Sequence, residues 1–434
     1  MDKESRVKYF EKLKSKEPYS YKDIYYKGKK RKLPVYEIDL DYLVYNQYNG
    51  RIASLVKSHY KETGFEIDAT NPKGIELIEQ FLWKSNEAAN KITEKSIFDQ
   101  GQNEYGIVTK DGVVIDGNRR SLILRRVAKK KKESPVYFLG VVLDELLNDD
   151  PKEIMRLETT YQMGEDAKVD YEPIEKYLKT KDLLSFGFSE EEIGKMMGEP
   201  APKVKKYASI MTLMDDYLNK LGYDGIYTRL DKTEGTFWDL DDYLNRYKTG
   251  KSKMIQWSYD ESDILDLKLI YFDYIRGAYN SGKSESGDAK DYRYIGQTSK
   301  KGSFFSNKSV WKKFRDSHFE NVDKINENEP TIEEDREQNP DLPEGDLLKQ
   351  RDIRWAKKAD SVLKRNMGLS KEGLDNLNKR NEPIELLESA KAKLESIDPE
   401  AKAFLEDENV HSLVSEINNM TYEFKKYIKH HNKH

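Results

Sequence analysis

The sequence contains no cysteine. Disulfides, thiolate zinc sites, iron–sulfur clusters and a cysteine nucleophile are excluded together. Histidine adds little: of six, His59, His318 and His411 are isolated, and His430, His431 and His434 fall in the last five residues. A histidine-centred metal site or triad, which would gather His with carboxylates, is not expected. No apolar run approaches the ~18 residues of a membrane span, and the opening MDKESRVKYFEKL lacks a signal-peptide core. The chain is therefore expected to be soluble and cytoplasmic, without a membrane partner. Its 434 residues suggest two to four domains, and a hydrophobic share of only 37% implies small cores. Chemistry is left to carboxylates, hydroxyls, Lys, Arg and a bound ion.

An overall charge of one sign is also absent, with 75 Lys+Arg against 79 Asp+Glu. The distribution is uneven, however. Residues 1–32 hold 12 basic and 5 acidic side chains and end in Lys29-Lys30-Arg31-Lys32. Residues 290–315 hold 8 basic and 1 acidic, interleaved with Tyr292, Tyr294, Phe304, Phe305, Trp311 and Phe314. Such a mixture suits phosphate contact plus base stacking, with Lys300 and Lys301 as candidate DNA contacts. Residues 321–346 swing to 10 acidic and 2 basic with three prolines, the composition of a solvated linker.

Residues 35–40 alternate as a strand, 105–115 read as strand, Asp-Gly turn and strand, 121–128 as a helix, and 136–143 as another strand. From Pro151 the pattern is helical. Ser189 to Glu192 forms a capping box, Gly198 stops that helix, and Pro200 to Pro202 opens the next. Short helices joined by a glycine turn are the mark of a helix-turn-helix. Lys203, Lys205 and Lys206 would lie at the start of its second helix, where DNA is usually met. Amphipathic helices over 383–397, 399–405 and 411–428 suggest an oligomerisation or partner-binding bundle.

The densest chemical cluster is Asp116-Gly117-Asn118-Arg119-Arg120, set between a strand and a helix. A helix N-terminus presents N–H groups and a positive dipole end to an anion, and arginines add forked donors matched to phosphate. Gly277 to Ser284 (GAYNSGKS) also matches the Walker A pattern. A polar, glycine-broken stretch follows it, unlike the helix of a working P-loop.

The order of these pieces resembles the ParB partition-protein family, within the ParB/sulfiredoxin superfamily. Ile38-Asp39-Leu40-Asp41 and Asn46 to Arg51 resemble its first strand and Asn-rich loop. Gly117-Asn118-Arg119-Arg120 is similar to its Gly-Glu-Arg-Arg phosphate box, and Asp116 is closer to the Asp-Gly-x-x-Arg form of superfamily kinases. Residues 157–162 (LETTYQ) resemble its Glu-Asn-x-x-Arg helix, 170–175 (DYEPIE) its Leu-x-Pro-Ile-Glu segment, and 188–198 its helix-turn-helix.

The resemblance covers residues 35–222 and implies an α+β protein, in which a small ParB/sulfiredoxin-like α/β domain precedes mostly helical domains. It implies a nucleoside triphosphate (CTP or ATP) held by Arg51, Gly117, Asn118, Arg119 and Arg120. Glu158 would hold Mg²⁺, and Asp116 with Glu158 would be the catalytic candidates. Asn118 in place of Glu, Thr159 in place of Asn and the absence of Arg at 161–163 argue against hydrolysis and leave the phosphate pocket intact. Without cysteine, sulfiredoxin chemistry is excluded.

The expected organisation is a basic arm (1–34), the nucleotide domain (35–148), a helix-turn-helix domain (149–225), a family-specific domain (226–325), an acidic linker (326–345) and a C-terminal helical region (346–434). The expected function is DNA binding regulated by a nucleotide at 116–120, in partition, regulation or phage defence, by a homodimer or higher oligomer. Rival readings are a Mg²⁺-dependent NTPase, phosphotransferase or nuclease on the same scaffold, and a nucleotide-free DNA-binding adaptor.

Overall fold

Short apolar runs that do not alternate, such as Val113-Val114-Ile115 and Tyr137-Phe138-Leu139, imply strands covered on both faces. The computed structural model, which describes residues 1–131, 135–164, 171–250, 255, 257–278, 291–297 and 302–431, has that arrangement. Strands β1 (Ser20–Tyr26), β2 (Lys29–Asp39), β3 (Val44–Tyr45), β4 (Gly106–Val108), β5 (Val113–Asp116) and β6 (Tyr137–Val142) form a mixed sheet in the order β1-β2-β6-β4-β5-β3. The β3–β5 and β4–β6 pairs are parallel and the others antiparallel.

Helices in this part of the chain are α1 (Lys3–Lys14), α2 (Ala53–Thr63), α3 (Pro72–Lys84), α4 (Glu87–Gln100), α5 (Asn118–Lys130) and α6 (Pro151–Met163). One face of the sheet, through Ile38, Val108, Val114 and Phe138, packs on Phe10 of α1, Ile97 of α4 and Ile123 of α5. The opposite face, through Ile24, Ile107, Ile115 and Val141, packs on Ile154 and Leu157 of α6. The expected basic arm is therefore no arm. Phe10 is fully buried, and residues 20–34 are the edge hairpin of the sheet, anchored by Ile24 and Tyr26, whose side chains reach the core.

The chain continues as α7 (Pro173–Ser185), α8 (Glu190–Met197), α9 (Ala201–Leu221), α10 (Glu234–Lys248), α11 (Glu261–Ala278), α12 (Arg293–Gly296), α13 (Lys308–Glu327), α14 (Ile332–Gln338) and α15 (Glu344–Glu395). Ser189 and Glu192 form the expected reciprocal cap of α8, and Gly198, with φ 67°, ends it in the left-handed region. Two composition-based expectations fail here. Phe304, Phe305, Trp311 and Phe314 are fully buried core residues, not a stacking surface. The segment expected as a solvated linker contains α14, whose Asp335 is buried against Arg351 (3.0 Å) and Arg354 (2.5 Å) of α15. The element before the Walker-like motif is the helix α11, where a P-loop needs a strand. Residues 279–284 of that motif, like Lys300 and Lys301, lie outside the described residues.

The chain divides into two compact units, 1–368 and 369–434. In the second, the distal part of α15 runs through Pro383 and is followed by α16 (Lys402–Glu406) and α17 (Glu408–His431). No described helix is long and apolar enough to cross a membrane.

Candidate functional site

β5 delivers the chain to Gly117, which caps α5 with φ 105°. A Cβ at Gly117 would lie 2.9 Å from Phe138 Cζ and 3.2 Å from Arg120 Nη1, so both the backbone angle and the space require glycine. No side chain caps α5, whose first turn thus keeps unspent N–H groups. Asn118 does not face a ligand. It is buried, donating from Nδ2 to Val114 O (2.7 Å) and accepting at Oδ1 from Asn46 N (2.9 Å). That pair of bonds ties the 46–51 loop beside the start of α5. The loop is shaped further by Asn49 Oδ1, which accepts from Arg51 N (2.9 Å).

Arg51 is thereby brought to Arg119 and Arg120. Its guanidinium lies 4.2 Å over the Tyr171 ring, and Tyr171 is fixed by donating to Gln162, which itself donates to Ile115 O. Nη1 of Arg119 and Nη1 of Arg120 are buried without a hydrogen-bond partner. Burial, then the charges of Arg51 and Arg120, pull Arg119 down to about 10, opposed only by Tyr171. A fourth cation comes from the hairpin: Lys22 of β1 donates to Tyr105 O and lies near both Asp116 and Arg120. Burial lowers its pKa, which Asp116 counteracts and Arg120 reinforces. Leaving a buried donor unsatisfied costs about 1–3 kcal/mol, and more for a charged group. An anion with several oxygens would satisfy both nitrogens and offset the repulsion.

Glu158 occupies a different role from the one expected. Its Oε1 accepts from Gly50 N (3.0 Å) and its Oε2 pairs with Lys179 Nζ (2.7 Å), both side chains being 5% exposed. With each oxygen meeting a fixed donor and its charge matched by Lys179, Glu158 holds the 46–51 loop against α7. It does not fit a resident Mg²⁺, and no group of three potential metal ligands occurs among the described residues. Glu175, one turn before Lys179, accepts from Ser54 Oγ (2.5 Å) and Ser54 N. Burial pushes its carboxyl up to about 7 despite these bonds. Beside the Glu158–Lys179 pair opens a cleft of about 580 Å³, walled in part by Tyr48, Tyr60, Met155, Phe186 and Tyr227; the three arginines do not line it.

The structure thus gathers Arg51, Asp116, Gly117, Arg119 and Arg120, and assigns Asn118 and Glu158 to scaffolding. Lys22, Tyr171 and Lys179 were missed by sequence reasoning. A signal existed for Lys179: it and Glu175 are charged residues set among the apolar Ile174, Leu178 and Leu183 of one helix, and both are buried. Of the helix-turn-helix lysines, Lys203 pairs with Glu199 (2.8 Å), and Lys206 pairs with Asp242 while lying 3.9 Å over Trp238. Lys205 is exposed. No protein-family model and no curated protein matches this chain.

Proposed function

We propose that this chain is a ParB-like nucleotide-binding protein, in which Arg51, Arg119 and Arg120 receive the phosphates of CTP or ATP and binding alters how the protein engages DNA. The observation that carries the reading is the pair of buried, unpartnered guanidinium nitrogens on consecutive residues at an uncapped helix start. Chain-supplied acids close most other buried cations here; these two point to an acid supplied from outside. Further support for the ParB/sulfiredoxin fold comes from the strand, Gly117 turn and helix set in a mixed sheet, followed by the α8–α9 pair.

The role is regulatory binding, not turnover. Glu158 is committed to Lys179 and Gly50, so the NTPase, phosphotransferase and nuclease readings lose one of their two carboxylates. DNA contact through α9 would rest chiefly on Lys205, a narrower surface than its three lysines suggest. Self-association is supported by α17, where Val410, Leu413, Ile417, Met420, Phe424 and Tyr427 recur at alternating spacings of three and four residues, and four of them are among the exposed large apolar side chains. That is the period of a helical seam.

Isothermal titration of the full chain with CTP, ATP and GTP, with and without Mg²⁺, tests the reading. Saturable binding of one nucleotide, weakened at least tenfold in Arg120→Ala, is expected. Absence of binding by all three would refute it, and phosphate release lost in Asp116→Asn would restore the enzyme reading.

A further inference from the structure

The hairpin of β1 and β2 carries most of the net positive charge of the first 34 residues, and the arginine cradle uses only one of its side chains. Lys27 (φ 51°) and Gly28 (φ 74°) form a two-residue turn with both central residues left-handed, the turn type whose twist matches a tight hairpin. The turn fixes the register, and the register fixes the faces. Lys22, Ile24 and Tyr26 point inward, Ile24 and Tyr26 being 1% and 5% exposed in the core beneath α6. Tyr21, Asp23 and Tyr25 point outward, paired with Pro34, Lys32 and Lys30.

Tyr21 and Tyr25 are 54% and 56% exposed, and Tyr19, just before the strand, is 57% exposed. Lys32 Nζ lies 5.4 Å over the Tyr21 ring, Lys30 pairs with Asp23 at 3.1 Å, and Lys29 is exposed at the turn. Over residues 20–34 the chain places six basic side chains against one acid, Asp23. Exposed rings beside lysines on one face of a strand mark a contact surface.

We propose that this outward face binds single-stranded nucleic acid, with bases stacked on Tyr21 and Tyr25 and phosphates on Lys30 and Lys32. A π-face accepts any base, and lysines track a backbone without reading it, so binding is independent of sequence. Tyr21 and Tyr25 lie four residues apart, roughly 13 Å along a strand, so an extended strand can touch both where a single base cannot. Duplex DNA suits this face less well. A two-stranded ribbon reads duplex by entering the major groove, and this ribbon is buried on its inner side against the sheet's core. A membrane is a poorer match still, because the outward positions of the paired strand segments hold no Leu, Ile, Val or Phe to insert in lipid.

The surface is separate from the arginine cradle, and its test does not depend on nucleotide. Fluorescence anisotropy of labelled oligo-dT with the full chain at ~50 and ~200 mM salt should show binding that weakens with salt and is at least tenfold tighter than for a duplex of equal length. Tyr21→Ala with Tyr25→Ala should weaken it at least tenfold with the salt dependence kept, and the matching phenylalanine pair should retain it. Lys30→Gln with Lys32→Gln should instead reduce the salt slope by roughly 1.4, for two phosphates at ~0.7 each. Should the alanine pair fail to fold by circular dichroism, the lysine pair carries the test. Equal affinity for duplex, an unchanged salt slope in the lysine pair, undiminished binding by a folded alanine pair, or capture only by phosphatidylserine vesicles would each overturn the proposal.

Discussion

Arg276 on α11 and Arg119 on α5 both lose water around their guanidiniums, and burial acts on both in the same direction. Their surroundings then diverge. Arg276 donates from Nε to Asp352 (3.0 Å) and from its two terminal nitrogens to Glu329 (2.9 and 2.6 Å), and it lies over Trp355. Asp352 also pairs with Arg229 and accepts from Tyr223 (3.0 Å). Burial pulls Arg276 down, and Glu329 with Asp352 more than reverses it, so its pKa is raised; that of Arg119, flanked by arginines, stays depressed. Where the chain supplies the counter-charge, a buried arginine is a structural fastening. Where it does not, the guanidinium stays unneutralised, the state that the proposed nucleotide would relieve.

Breaking the fastening should have the largest effect. Asp352→Ala leaves Arg229 and Arg276 without their shared carboxylate, and removing one partner of a buried ion pair costs about 3–5 kcal/mol. The midpoint of thermal unfolding, followed by circular dichroism, should fall by roughly 4–6 °C in a unit of this length. A shift below about 2 °C would erase the contrast between the two clusters.

The cradle should respond in the opposite sense. Arg119→Gln with Arg120→Gln relieves repulsion and should melt no lower than the wild type in phosphate-free buffer. Tenfold excess of nucleotide over its Kd should stabilise the wild type by about 1.4 kcal/mol and leave the variant unmoved. A variant that still gains stability from nucleotide would move the site away from these arginines.

Glu175 tests an intermediate case, a buried carboxylate held by Ser54 donors. Its folded pKa is raised to about 7 from 4.5, so the fold favours the protonated form. That contribution is complete below the unfolded value and is lost as pH climbs through 7. Across pH 5 to 8, Glu175→Gln should therefore gain melting temperature relative to the wild type, by a few degrees. A constant difference over that range would show an ordinary carboxylate.

Local features were legible in the sequence because they need only neighbours. The Ser189–Glu192 cap, the Gly198 stop, the Gly117 turn and the 106–116 hairpin depend on residues within a few positions. What stayed hidden depends on distant partners. Asp335 looked solvated because Arg351 and Arg354 lie 16 and 19 residues on. Glu158 looked free because Lys179 is on another helix. The aromatics of 304–314 looked like a stacking surface because composition records charge density and not the direction a ring faces. The cradle was half visible: its arginines are consecutive in sequence, whereas Lys22 joins them only through the fold of an edge strand.

The alternation of β1 has an evolutionary consequence. Lys22 lies against the cradle while its neighbours Tyr21 and Asp23 face outward, so one strand serves two surfaces by parity alone. Inserting or deleting a single residue between the strand and its Lys27–Gly28 turn would exchange the faces, placing tyrosines in the core and Ile24 and Tyr26 in water. Length variation in this ribbon should therefore be inherited in steps of two.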